Sequence, residues 1–168
     1  MDAALLVIDM QKSLFEEGPW NGPAVLGVIN HLIARARAAG APVVFLADRR
    51  VEPDAGLHQD LAWKPGDPLI EKGFCDSFLG TDLHAVLQER GVKRLIVAGM
   101  QSDFCVDTTC RRAASLGYAV QLVGDAHTTF DHEHLTGEQI VRHHNRILRR
   151  LLAGDGSVTV VDSAEASF

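Results

Sequence analysis

Residues 94–124 read RLIVAGMQSDFCVDTTCRRAASLGYAVQLVG. A short, valine-rich apolar run ends in a glycine, an amphipathic stretch follows, and a second glycine closes it before another apolar run begins. That is strand, turn, helix, glycine C-cap, strand. The same helix, glycine and strand punctuation occurs in ARAAGAPVVFLA at 36–47 and in QERGVKRLIVAG at 88–99, which leads into the quoted stretch. Strands are therefore expected at 4–8, 43–47, 94–98, 119–123 and 158–161, with a short one near 69–71. These runs are short, mostly apolar and rich in valine, as strands covered on both faces are. Between them, Val25, Ile29, Leu32 and Ala36 form one helical stripe, and Ile140, His144, Ile147 and Leu151 form another. Thr136 with Gln139 reads as a capping box, and Pro23 suits a first helical turn. The expected fold is a three-layer α/β/α, doubly wound, mostly parallel sheet of about six strands, Rossmann-like, in one domain spanning 1–168. The stretch from Arg49 to Gly73 is predicted to be a long loop over the sheet, and Ala164 to Phe168 is expected to fray unless it docks on a neighbour.

At 168 residues the chain suits a single core. Apolar residues make up 46% and charged residues 23%, the balance of a folded globular protein. A net charge of -6 without a basic block gives no footprint for nucleic acid. Arg146, Arg149 and Arg150 are read as a solvated, dipole-compatible helix end. No apolar run reaches membrane-spanning length, and Met1 leads into a strand without signal-peptide features, so a cytoplasmic protein with no membrane partner is expected. Three cysteines cannot all pair within one chain, and reduced thiols are expected.

In a doubly wound sheet, sites form beyond the C-terminal strand ends. Asp9 stands there, directly after the strand in LLVIDMQ, where its alternative role is an Asx turn or a cap. Gln11 is read as holding loop backbone. Cys105 falls in the first turn of the helix after the strand at 94–98, with Ser102 or Asp103 as N-cap. The positive helix end there favours thiolate and predicts a pKa below the ordinary value of about 8.5. Taken alone, Cys105 equally suits an inert residue packing the strand–helix junction. Cys110 shares a stripe with Val106 and Ala113 and reads as core, and helical geometry turns it away from a disulfide with Cys105. Lys72 closes the short strand and is brought to the same sheet edge as Asp9 and Cys105; by itself it reads as an ordinary solvated lysine.

These residues together carry a resemblance. Asp9 in LLVIDMQ, Lys72 in K-x(5)-F-x-G-T-D-L and Cys105 in G-x(5)-C-V, with a downstream GDA, resemble the isochorismatase-like hydrolase superfamily over nearly the whole length. The resemblance implies that fold and a catalytic triad of Asp9, Lys72 and Cys105. It also implies a non-proline cis peptide between Met100 and Gln101, with the backbone N–H groups of Gln101 and Cys105 as oxyanion hole. The activity implied is hydrolysis of a small-molecule amide or lactam-like C–N bond through a covalent thioester-type intermediate. The chemistry of the residues agrees, since a carboxylate can take a thiol's proton and an ammonium can hold the resulting charge. Relatives of this fold are commonly homo-oligomers, so a homodimer or homotetramer is expected.

Nicotinamidases carry a D-x-H metal element after the second strand, whereas this chain has Asp48, Arg49 and Arg50. His58 alone makes no site. His127, His132, His134, His143 and His144 lack chelating spacing, and His144 reads as a core or subunit-contact residue. Neither metal nor cofactor is expected. Phe15, Trp20, Phe78 and Phe104 flank the catalytic positions and are candidates for a substrate pocket or for ordinary core. Vinyl ether hydrolysis of the isochorismatase type, a non-catalytic binding protein on the same fold, and a peroxide-sensing thiol are the competing readings.

Overall fold

The computed structural model describes residues 2–168. Seven strands form one sheet: β1 (Ala3–Ile8), β2 (Val43–Asp48), β3 (Leu69–Lys72), β4 (Arg94–Met100), β5 (Ala119–Thr128), β6 (Arg150–Ala153) and β7 (Gly156–Val161). Their order is β3-β2-β1-β4-β5-β7-β6, and every neighbouring pair is parallel except β6 with β7. Strand order reverses between β1 and β4, so the C-terminal ends of those two strands open the crevice in which such sheets place their sites.

Alternate residues of the central strands feed two separate cores. Leu6, Ile8, Leu46, Leu95 and Val97 pack with α3 (Leu83–Glu89) and α4 (Asp107–Ser115) on one face. Leu5, Val7, Phe45, Ile96 and Ala98 pack with α2 (Gly22–Ala38) on the other. Both sets are buried, and this is why the strands are apolar at every position rather than at every second one. Val25, Ile29, Leu32 and Ala36 form the buried stripe of α2. Among the described residues, no helix is long and apolar enough to cross a membrane.

Three expectations need correction. The last helix, α5 (Gly137–Leu148), starts on the Thr136–Gln139 capping box but stops before Leu151. Leu151 lies instead in β6, opposite Val158 of β7, and Ile147 is exposed. A four-residue edge strand whose exposed and half-buried positions alternate was absorbed into the helical period, which also placed Arg149 and Arg150 on a helix they do not belong to. The C-terminal segment does not fray. Arg35 donates to the carbonyls of Ser163 and Ala166 and lies over the Phe168 ring, and Ala166 is buried against the α2 face. Lastly, the turn after β4 is a π-helix, Ser102–Val106, that runs on into α4. Neither Ser102 nor Asp103 caps it, because both side chains are bonded elsewhere.

Candidate active site

Each of the three central residues is delivered by the end of a strand. Asp9 follows β1 and adopts a left-handed backbone, φ 51, a conformation that costs an L-residue energy and clusters at functional sites. Its N–H is held by Leu46 O at 3.0 Å, and its carbonyl accepts from Gln11 N at 2.9 Å. Lys72 is the last residue of β3, paired with Asp48 at the end of β2. Cys105 sits in the π-helical turn after β4. The Met100–Gln101 peptide preceding that turn is cis, and Gln101 O accepts from the N–H groups of both Phe104 and Val106. At Gly99, φ is 123 and a Cβ would lie 2.1 Å from Ile8 O, so β1 and β4 approach at a point that admits only glycine.

The side chains converge. Lys72 Nζ donates to Asp9 Oδ2 at 2.8 Å, to Cys105 Sγ at 3.1 Å and to Phe74 O at 3.2 Å. All three are buried, Lys72 completely. A fourth charged group, which the sequence reading passed over as a site residue, is Asp48, with Oδ2 3.7 Å from Lys72 Nζ. Gln11 fixes its backbone, donating to Asp48 O at 3.0 Å and accepting from Asp48 N at 2.9 Å. The Arg50 guanidinium grips the carboxylate with Nε to Oδ1 at 2.9 Å and Nη2 to Oδ2 at 2.5 Å. The signal available in the sequence was Asp48's place at the end of a strand adjoining that of Asp9.

Asp9, Asp48 and Cys105 present donor atoms within 4.8 Å of one another, which is the spacing of a cation site. The cation among them is the Lys72 ammonium, and both Asp48 oxygens already face Arg50. Three of the histidines are engaged away from this cluster. His58 accepts from Asp60 N and packs on Phe15, His132 pairs with Asp103 at 3.0 Å, and His144 donates to Ile140 O.

The protonation pattern corrects another expectation. Burial and the Asp9 carboxylate push the Cys105 thiol well up, and the Lys72 ammonium offsets only part of this. The helix end was expected to lower it, but burial and the neighbouring carboxylate act in the opposite direction and outweigh it. Burial also raises Asp9 against the pull of Lys72. For Lys72, burial works downward, but Asp9 and Cys105 outweigh it and keep the ammonium charged. Asp9 Oδ1 is buried without a hydrogen-bond partner, a free lone pair on the carboxylate beside the thiol.

The four aromatic residues do not line one pocket. Phe15 packs with the α2 face and Phe78 with the opposite one, where it stacks on Tyr118 at 5.9 Å. Trp20 bonds through its backbone to Thr128 and Thr129, and Phe104 is exposed beside His132. The cleft that meets the site at Asp48 has a volume of ≈ 350 Å³ and is lined by Leu14, Glu17, Asp48, Arg50, Val51 and Glu52.

Comparison with known proteins gives a consistent picture. The isochorismatase domain family matches residues 3–145. Streptothricin hydrolase of Streptomyces noursei is 38% identical over 139 residues, covering 76% of this chain and 50% of that protein, so the chain spans half the length of this relative. A ureidoacrylate amidohydrolase of Pseudomonas savastanoi pv. phaseolicola is 26% identical over 172 residues, covering 74% of this chain and 70% of that protein. A crystal structure of an isochorismatase family protein superposes with a TM-score of 0.85 at 35% identity, covering 95% of this chain and 98% of that one.

Proposed function

The chain belongs to the isochorismatase family of hydrolases, and we propose that within it this protein cleaves an amide or lactam-like C–N bond of a small molecule, with Cys105 as nucleophile. The observation that carries the reading is the placement of the Lys72 ammonium, 2.8 Å from Asp9 Oδ2 and 3.1 Å from Cys105 Sγ. A buried ammonium shared by a carboxylate and a thiol serves a centre in which one negative charge moves between oxygen and sulfur.

The thiol rests protonated, so its proton passes to Asp9 as the S–C bond forms. The charge on the substrate oxygen is met by the amides of Gln101 and Cys105. Asp9 then protonates the leaving nitrogen, the C–N bond breaks, and ammonia or an amine departs, leaving a thioester. Water, losing a proton to Asp9, attacks that thioester. The C–S bond breaks, the acid leaves and the proton returns to sulfur. Lys72 stays protonated throughout and stabilises whichever partner bears the charge. Asp48, held by Arg50, adds a second carboxylate beside the ammonium, at 3.7 Å. No cofactor enters this sequence. Names of relatives that include a streptothricin hydrolase and an amidohydrolase support C–N chemistry.

The test is ammonia or amine release from a panel of small carboxamides, lactams and ureido compounds. Cys105→Ala is expected to lose at least about a thousandfold in turnover. Release that survives this substitution would exclude the cysteine mechanism.

A further inference from the structure

A polar chain that the reaction does not consume, buried at Ser102 and His127 and half-buried at Asn145, runs behind the turn that carries Cys105. Ser102 Oγ lies 2.7 Å from His127 Nδ1, and His127 Nε2 lies 2.8 Å from Asn145 Oδ1. Asn145 Nδ2 donates to Gly124 O at 2.9 Å, which leaves its Oδ1 as the end facing the imidazole. Nε2 therefore carries the hydrogen, and Nδ1 accepts from the Ser102 hydroxyl. Burial pushes His127 down to about 4, so the ring is neutral at ordinary pH and held in that tautomer.

The three residues come from three elements. Ser102 opens the π-helical turn one residue after the cis peptide, His127 stands on β5 opposite Gly99 of β4, and Asn145 lies on α5. His127 reaches that place because the β4–β5 register shifts between Val97 and Gly99. Ser102 and His127 are buried to 0% and 1% exposure, and each spends its side-chain hydrogen bond on the other rather than on Asp9, Lys72 or Cys105. An apolar set of similar size would fill the same space, whereas a fully satisfied polar chain also fixes direction. The direction it fixes is that of the backbone from Gln101 to Cys105, the segment assigned to the oxyanion.

We propose that Ser102, His127 and Asn145 are positioning residues of the catalytic turn, setting the angle at which its amides meet the oxyanion. The proposal rests on Cys105 being the nucleophile. Two reactions of the same sulfur separate positioning from mere folding. Acetylation by p-nitrophenyl acetate passes through an oxyanion, whereas alkylation by iodoacetamide displaces iodide without one.

In Ser102→Ala and His127→Phe, the burst of p-nitrophenolate that accompanies acetylation of Cys105 is expected to slow about a hundredfold. Alkylation of Cys105 should keep its wild-type rate. The double variant should be no slower than the slower single, as for one chain acting as a unit. His127→Asn, which retains an acceptor in the place of Nδ1, should recover most of the loss. Should His127→Phe fail to fold, Ser102→Ala, which removes a single oxygen, carries the test alone. Unchanged acetylation, equal loss of acetylation and alkylation, or an Asn variant no better than Phe would overturn the proposal. Wild-type protein that is not acetylated on Cys105, or a burst that persists in Cys105→Ala, instead removes the nucleophile assignment and this proposal with it.

Discussion

Lys72 is the residue whose meaning changes most between sequence and structure. Alone it reads as a solvated lysine, yet it is fully buried and bonded to both Asp9 and Cys105. What made it legible was the motif it shares with the other two, not any local property. Asp48 lay outside that motif, and only the pairing of β2 with β3 brings it to Lys72. The charge arrangement gives predictions of definite sign. Asp9→Asn removes the carboxylate that raises the thiol while leaving the ammonium, so the pH midpoint of Cys105 alkylation should fall although turnover is lost. Lys72→Met should move it upward. Alkylation with iodoacetamide across pH, mapped by mass spectrometry, checks both, and midpoints that ignore the substitutions would refute the electrostatic account. His127 offers a stability test. It titrates at about 4 when folded, against about 6.5 in an unfolded chain. Between those values the unfolded chain binds the proton first, so the contribution is full above about 6.5 and fades as pH falls toward 4, by about 3 kcal/mol in all. Urea unfolding at neutral and acid pH should show this loss in the wild type and a reduced one in His127→Asn.

At the scale of elements, six of the seven strands were legible as short, mostly apolar, valine-rich runs, most plainly the central β1, β2 and β4, whose burial on both faces shows in composition. The edge strand β6 was not, since a four-residue strand with Leu152 82% exposed carries no such signal and its residues also fit a helical period. The turn after β4 was legible as the carrier of a thiol but not as a π-helix, because its first residues are held by distant partners: Ser102 by His127 and Asp103 by Thr129. The contact between β1 and β4 sets the geometry of the whole edge. Gly99→Ala would drive a Cβ to within 2.1 Å of Ile8 O at a backbone angle reserved for glycine. A loss of at least about 3 kcal/mol in urea unfolding is expected, among the larger costs of a single methyl. A cost below about 1 kcal/mol would mean that the two strands can separate freely.

For the molecule as a whole, two cores sandwich one sheet, and the chemistry sits where the sheet's strand order reverses. The central strands are buried on both faces and bonded on both edges, whereas β6 has one neighbour and an exposed face. Amide hydrogen exchange should therefore release β6 by local opening, while β1 and β4 exchange only through global unfolding. Rapid exchange in β4 would contradict a rigid platform beneath Cys105. The C-terminal segment is pinned by Arg35 through the carbonyls of Ser163 and Ala166 and packs on the α2 core rather than hanging as a loose tail. The central claim is that Cys105 takes up the acyl group of a C–N substrate. Acid-quenched mixing of the protein with the carboxamide panel, followed by peptide mapping, tests it most directly. The account predicts an acyl mass on the Cys105 peptide, formed in step with the first equivalent of ammonia or amine and absent from Cys105→Ala. Release of amine with Cys105 unmodified, at a rate that Cys105→Ala retains, would contradict it.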